Sequence, residues 1–174
     1  MLHYNGVTLL TSSLWALPDA VLATDACLTG LGGTAFDQCF RATFPSHILD
    51  SDFHIAGLEA LAVSVALKLW APRLAGLRNC ILCDNLATVT VLNLGRAKDP
   101  FLLRCMREIC FTSALHQFQV KAQHIAGVDN RLPDYLSRWD SDRSVRKLFL
   151  NTPGARSLTM ITVPEQLFSF DHTW

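Results

Sequence analysis

The sequence predicts an α/β fold: a five-stranded mixed sheet, three antiparallel strands followed by parallel additions, with helices on both faces. Three observations predict it. Three short strand-like runs crowd into residues 20–44, the spacing of an antiparallel meander. Beyond residue 54 the pattern becomes helix, strand, helices, strand, helix, the order that crossover connections give to a sheet covered on both sides. Half of the 174 residues are hydrophobic and 17% are charged, so one domain of this length can bury the core such layers need.

The elements follow in order. Ala20–Asp25 is an apolar run ending in an acid and reads as the first strand. Gly30-Leu-Gly-Gly33 reads as a turn of small residues, with strands expected over Gly33–Phe36 and Cys39–Phe44. Ile55–Trp70 is the clearest helix. Gly57, Ser64 and Lys68 fall on one side of its wheel and Ala62, Ala66 and Leu69 on the other, with Pro72 expected to end it. Asn79–Cys83 is the fourth strand. Asn85–Leu94 is a helix closed by Gly95, and Pro100 to His116 is another with proline near its start. Phe118–His124 is the fifth strand. Arg131–Trp139 is a short last helix with Asn130 as its candidate N-cap. From Asp140 the pattern weakens around Pro153-Gly154 and Pro164. The expected organisation is a lead-in or connection segment over 1–19, the domain over 20–140, and a tail or linker over 141–174.

Lys plus Arg and Asp plus Glu both number 15, so the formal net charge is zero. A polybasic nucleic-acid binder and an acidic tail are both excluded. The apolar stretch to Ala23 has no Lys or Arg before it and is interrupted by Pro18-Asp19, unlike a signal peptide. No uncharged run has the length of a membrane span. A soluble, intracellular chain with reduced thiols and no membrane or disulfide partner is expected. Cys80 and Cys83 lie three apart on a strand and point to opposite faces, so they suit buried core thiols better than a shared metal.

Four carboxylates stand out. Asp25 and Asp84 end strands, where loops open onto a crevice, although the first could begin a turn and the second cap a helix. Glu59 lies nine residues before Lys68, about 180° around the wheel, and projects from the Ala62/Ala66 face. An ionised Glu there needs a partner, either a buried Arg or a metal. Asp134 sits in the first turn of the last helix, with Arg138 one turn on as a possible ion-pair partner. Converging on one crevice, these acids would repel unless divalent cations neutralised them. Hard oxygen donors favour Mg²⁺ or Mn²⁺ over zinc.

These residues resemble a known family. Thr24-Asp25-Ala26 with Gly30-Leu-Gly-Gly33 resembles the opening of a type 1 ribonuclease H domain. His54-Ile-Ala-Gly-Leu-Glu59 resembles its second motif and Cys83-Asp84-Asn85 its third. His124-Ile-Ala-Gly127, Asn130 and Asp134-Tyr-Leu-Ser-Arg138 resemble its fourth. The last form is similar to the domains fused to retrotransposon reverse transcriptases. Tyr4-Asn-Gly-Val and Leu94-Gly-Arg-Ala-Lys-Asp99 are most similar to DIRS-type elements. The match spans about residues 5–140. Cys27 stands where Ser or Gly is common, and Pro133 where Ala is common.

The resemblance implies an RNase H-like fold and an endoribonuclease that cleaves the RNA strand of RNA–DNA hybrids. Asp25, Glu59, Asp84 and Asp134 would bind two Mg²⁺, with Mn²⁺ as a substitute and Asp25 as the bridge. His124 would shuttle a proton or assist product release. His54 is given a structural or capping role. Gly30, Asn85 and Asn130 would contact the hybrid. No Tyr-x-Asp-Asp polymerase motif is present, so a reverse transcriptase polymerase in cis or in trans is the implied partner. A non-catalytic module of the same fold that only binds or scaffolds is the alternative, and the intact acids favour the enzyme. Weak hybrid binding without metal and stronger binding with it are expected, because two ions add four positive charges to a neutral chain.

Overall fold

The structure, a computed structural model, describes residues 17–170. Most of the expected lead-in, including Tyr4-Asn-Gly-Val, lies outside these residues. The first three strands are β1 (Ala20–Ala26), β2 (Gly30–Ala35) and β3 (Gln38–Thr43), joined as an antiparallel meander. A short helix α1 (Ser46–Leu49) and the long α2 (Ile55–Leu74) follow. Then come β4 (Arg78–Cys83), α3 (Leu86–Leu94), α4 (Pro100–His116), β5 (Gln119–His124) and α5 (Arg131–Ser137). The chain continues through α6 (Ser144–Asn151) to β6 (Thr159–Ile161). The sheet order is β5-β4-β1-β2-β3-β6. β4 lies parallel to β1 and β5 parallel to β4.

The sheet therefore has six strands, not the expected five. β6 comes from the stretch read as tail or linker and pairs in parallel with Gln38–Phe40 of β3. It satisfies backbone groups that β3 would otherwise leave open at the sheet edge. Three residues are too few to show a period in sequence.

Helix boundaries follow local chemistry. Asn85 caps α3, its side chain accepting from Thr88 N–H at 3.1 Å, and Gly95 closes the helix at φ 66°. Asp99 caps α4 in the same way, accepting from Leu102 N–H at 2.7 Å. Three expectations need correction. Pro72 lies inside α2, which runs on to Leu74 before Gly76 turns the chain at φ 75°. A proline in the last turn removes one hydrogen bond, which the surrounding packing tolerates. Asn130 stands at the start of α5 but makes no side-chain cap bond. The glycines of 30–33 belong to strand β2 itself, and the turn lies at Cys27–Thr29, where Cys27 N–H bonds Gly30 O at 2.9 Å.

One sheet face carries α2, covered in turn by α4. The main core joins Leu22, Leu31, Phe40, Leu61, Trp70 and Ile81. Trp70 packs on Phe40 with ring centres 5.3 Å apart and donates its indole N–H to Gln38 Oε1 at 2.9 Å. The wheel face of Gly57, Ser64 and Lys68, placed opposite the Ala62/Ala66 face, is covered as well: Gly57 and Ser64 are buried, so α2 is enclosed on both sides. Among the described residues α2 is the one helix long and apolar enough to cross a membrane, and 72% of that span is buried inside the protein. On the other sheet face α5 and α6 enclose a smaller cluster of Cys39, Leu136, Phe149 and Ala155. All six cysteines are free and four of them are buried.

Candidate active site

Parallel pairing of β1 with β4 brings the carboxyl ends of the two strands side by side. Asp25 projects from β1 toward α5, where Ser137 Oγ donates a 2.5 Å hydrogen bond to its Oδ2. Asp84 follows the last residue of β4. Glu59, in the second turn of α2, reaches the same end of the sheet. Asp25, Glu59, Asp84, Asn85 and Arg138 line one cleft of about 500 Å³. One oxygen of Glu59, one of Asp84 and the Cys83 sulfur lie within 4.8 Å of one another. Asp134 borders this group from the first turn of α5, paired with Arg138 Nε at 2.8 Å as the one-turn spacing suggested.

The electrostatics of the cleft are unbalanced. Asp25 is 4% exposed and Glu59 3%. Burial pushes the Asp25 carboxyl up to about 7, with Asp84 and Asp134 adding repulsion and the Ser137 bond opposing the rise. Burial and the charges of Asp25 and Asp84 push Glu59 up to about 9. Among the described residues, no basic side chain forms an ion pair with Asp25, Glu59 or Asp84.

The donor set fits a hard divalent cation. Its charged members are oxygens, crowded together and only partly offset by Arg138, which is paired with Asp134, and this is the chemistry Mg²⁺ or Mn²⁺ satisfies. The one sulfur does not change this. Cys83 is fully buried, its thiol is pushed up to about 12 by burial and by Glu59, and it donates to Glu59 Oε2 at 3.8 Å. It stays protonated at neutral pH.

The other candidate residues occupy different places. His124 ends β5, is exposed, and has Nε2 3.1 Å from the Asp84 backbone carbonyl. The following loop lies on the site: a Cβ on Gly127 would stand 3.1 Å from Asp84 Oδ2. Asn85 lines the cleft, but its side-chain oxygen is engaged in capping α3. Asn130, expected to touch substrate, is 1% exposed, and its amide donates to Thr24 O at 2.9 Å. It braces β1 beside Asp25 from within. Gly30, also expected to touch substrate, is buried, and an added Cβ would come 2.7 Å from Ser137 O. Its missing side chain lets α5 approach β2. His54 precedes α2, is exposed, and makes no capping bond.

Sequence reasoning missed Ser137 and Cys83 as groups that touch the acids. Ser137 had one legible signal: it follows Asp134 by three residues and so shares a face of α5 with it. Removing its hydroxyl is expected to weaken divalent-ion binding about 10-fold, as loss of a bond that orients a ligand commonly does. Titration of Ser137→Ala with Mn²⁺ checks this, and unchanged affinity would show that Asp25 is oriented without Ser137.

Solved structures share this architecture. LC11-RNase H1, isolated from compost by a metagenomic approach and solved in complex with an RNA/DNA hybrid, matches with a TM-score of 0.59 and 15% identity over 73% of this chain and 99% of that one. RNase H1 from the halophilic archaeon Halobacterium salinarum matches with a TM-score of 0.52 and 15% identity over 67% and 92% of the two chains. The N-terminal RNase H domain of Rv2228c from Mycobacterium tuberculosis matches with a TM-score of 0.52 and 17% identity over 71% and 98%. No family model and no curated protein sequence matches the chain. At these identities the likeness establishes the fold alone: the chain has an RNase H-like fold.

Proposed function

We propose that this protein is an endoribonuclease that hydrolyses the RNA strand of RNA–DNA hybrids with two divalent metal ions, as part of, or derived from, a retroelement reverse transcriptase. The observation that carries this reading is the convergence of Asp25, Glu59 and Asp84 in one cleft, where among the described residues none of the three forms an ion pair and the one Arg138 at the wall is paired with Asp134. The motif order and the RNase H-like fold support it.

Asp25, Glu59, Asp84 and Asp134 would hold the ions. When bound, a pair of Mg²⁺ or Mn²⁺ ions supplies an activated water and charge stabilisation for the attacking and leaving oxygens of an in-line phosphoryl displacement. Ser137 orients the Asp25 carboxylate. Arg138 restrains Asp134 and places a guanidinium at the cleft wall, where a phosphate oxygen can accept from it. His124, exposed beside Asp84, is placed to carry a proton to or from solvent. The products would be a 5′-phosphate and a 3′-hydroxyl. The chain's formal net charge is zero, so a polymerase domain in cis or in trans would supply much of the affinity for the hybrid. The reading carries an intracellular location, where the thiols stay reduced.

The test is cleavage of a hybrid labelled on its RNA strand, with Mg²⁺, beside Asp84→Asn. Cleavage by the wild type alone is the expected result. If both proteins bind the hybrid and leave it intact, with Mn²⁺ and an added polymerase as well, the chain is a binding module and the enzymatic reading is lost.

A further inference from the structure

We propose that residues 159–170 form a belt that positions Glu59, with Phe170 as its terminal positioning residue. This rests on the reading of Glu59 as a metal ligand.

The belt starts at the sheet edge, where β6 pairs with β3, and ends against α4. Phe168 anchors it in the main core, 3% exposed and edge-on to Phe44 at 6.3 Å. Two backbone carbonyls then accept from Lys68 of α2: Ser169 O at 2.8 Å and Leu167 O at 3.4 Å. The same ammonium pairs with Glu108 of α4 at 2.7 Å, with side chains 12% and 4% exposed. A largely buried ion pair needs its remaining donors satisfied, and the belt carbonyls do this.

Phe170 closes the belt. Its ring stands edge-on to Phe101 of α4 at 5.8 Å and under the Arg104 guanidinium at 4.8 Å. Phe101 in turn stacks on Phe53 at 3.7 Å and presses on Gly57, where a Cβ would come 2.7 Å from its Cδ1. Gly57 belongs to the first turn of α2, and Glu59 lies two residues on. That turn has no side-chain cap from His54. Its sideways position is held by Phe101, by Thr88 Oγ1, which donates to Ala56 O at 3.1 Å, and by Cys105 Sγ, which donates to Gly57 O at 3.9 Å. The contacts run from half-buried Phe170 through buried Phe101 to the first turn of α2, directly before Glu59, with little room at Gly57 to adjust.

Two variants of the full chain separate positioning from general stability. Phe170→Ala removes the end of the relay. Phe118→Leu disturbs the main core just before β5, off the belt and at the end of the parallel strands away from Asp84. Mn²⁺ affinity is read from free Mn²⁺ by electron paramagnetic resonance, beside Tm and the Mg²⁺ dependence of hybrid cleavage. Phe170→Ala is expected to weaken Mn²⁺ binding about 10-fold, the usual size of an effect on ligand orientation. It should raise the Mg²⁺ needed for half-maximal cleavage in proportion and leave KM for the hybrid unchanged, and Phe170→Tyr should restore both metal readouts. Phe118→Leu is expected to lower Tm while holding Mn²⁺ affinity within about twofold. Wild-type Mn²⁺ affinity in Phe170→Ala, or equal weakening in Phe118→Leu, overturns the relay. If the wild type itself binds no Mn²⁺, the metal reading of the cleft falls first, and the relay with it.

Discussion

Asp25→Asn is expected to abolish hybrid cleavage, by at least about 10²–10³-fold, without destabilising the metal-free protein. The two effects have one cause. Asp25 sits buried between Ser137, Asp84 and Asp134, where its negative charge is opposed by burial and by its neighbours. An asparagine keeps the shape and can still accept from Ser137, while removing the charge that holds a cation. Tm without metal should stay level or rise. The rise in Tm on adding Mn²⁺, which reports binding to the folded state, should shrink sharply. Thermal melts with and without Mn²⁺, beside single-turnover cleavage, read both quantities. A large loss of Tm without metal would show that Asp25 is structural. Retained cleavage would remove it from the site.

The metal-free protein is expected to lose stability as pH rises, opposite to the usual behaviour of paired carboxylates. Folding lifts Asp25 from 3.8 to about 7 and Glu59 from 4.5 to about 9. Between the unfolded and folded values the folded chain holds protons that the unfolded chain has released. Stability is therefore fully present below about pH 4 and is lost as pH climbs through about 7 for Asp25 and about 9 for Glu59. In EDTA, Tm should be at least about 5 °C lower at pH 9 than at pH 5. A divalent ion takes the place of the protons, so the metal-induced rise in Tm should grow over the same range. Asp25→Asn should flatten the part of the curve near neutrality. A Tm that is level or rises with pH in EDTA would mean that the acids find counter-charge in solution that the folded chain does not show.

Much of the site was legible in the sequence because its chemistry is written in residue type and local position. Asp25 and Asp84 follow apolar runs that could only be strands, and Glu59 sits in a helix too apolar to expose it. Those features led to one crevice and to oxygen-ligated divalent ions. Burial was not legible. Asn130 and Gly30 belong to motifs that suggest substrate contact, yet both are enclosed, one bracing β1 and the other admitting α5. The Gly57/Ser64/Lys68 side of α2 is covered because α4, which starts more than 40 residues after Gly57, lies across it.

The amino-acid sequence alone was enough to order β1–β5 with α2–α5 and to mark four acids as candidate ligands of a hard divalent ion. These depend on short-range patterns: period, caps, breakers and the chemistry of single side chains. Three-dimensional packing was needed to show which polar groups lie buried beneath the cleft, that Ser137 and Cys83 touch its acids, and that residues 159–170 return to the sheet edge and lie against α2 and α4. Those outcomes depend on contacts between segments distant in sequence, such as Lys68 with Ser169 and Asp25 with Ser137, which no local pattern encodes.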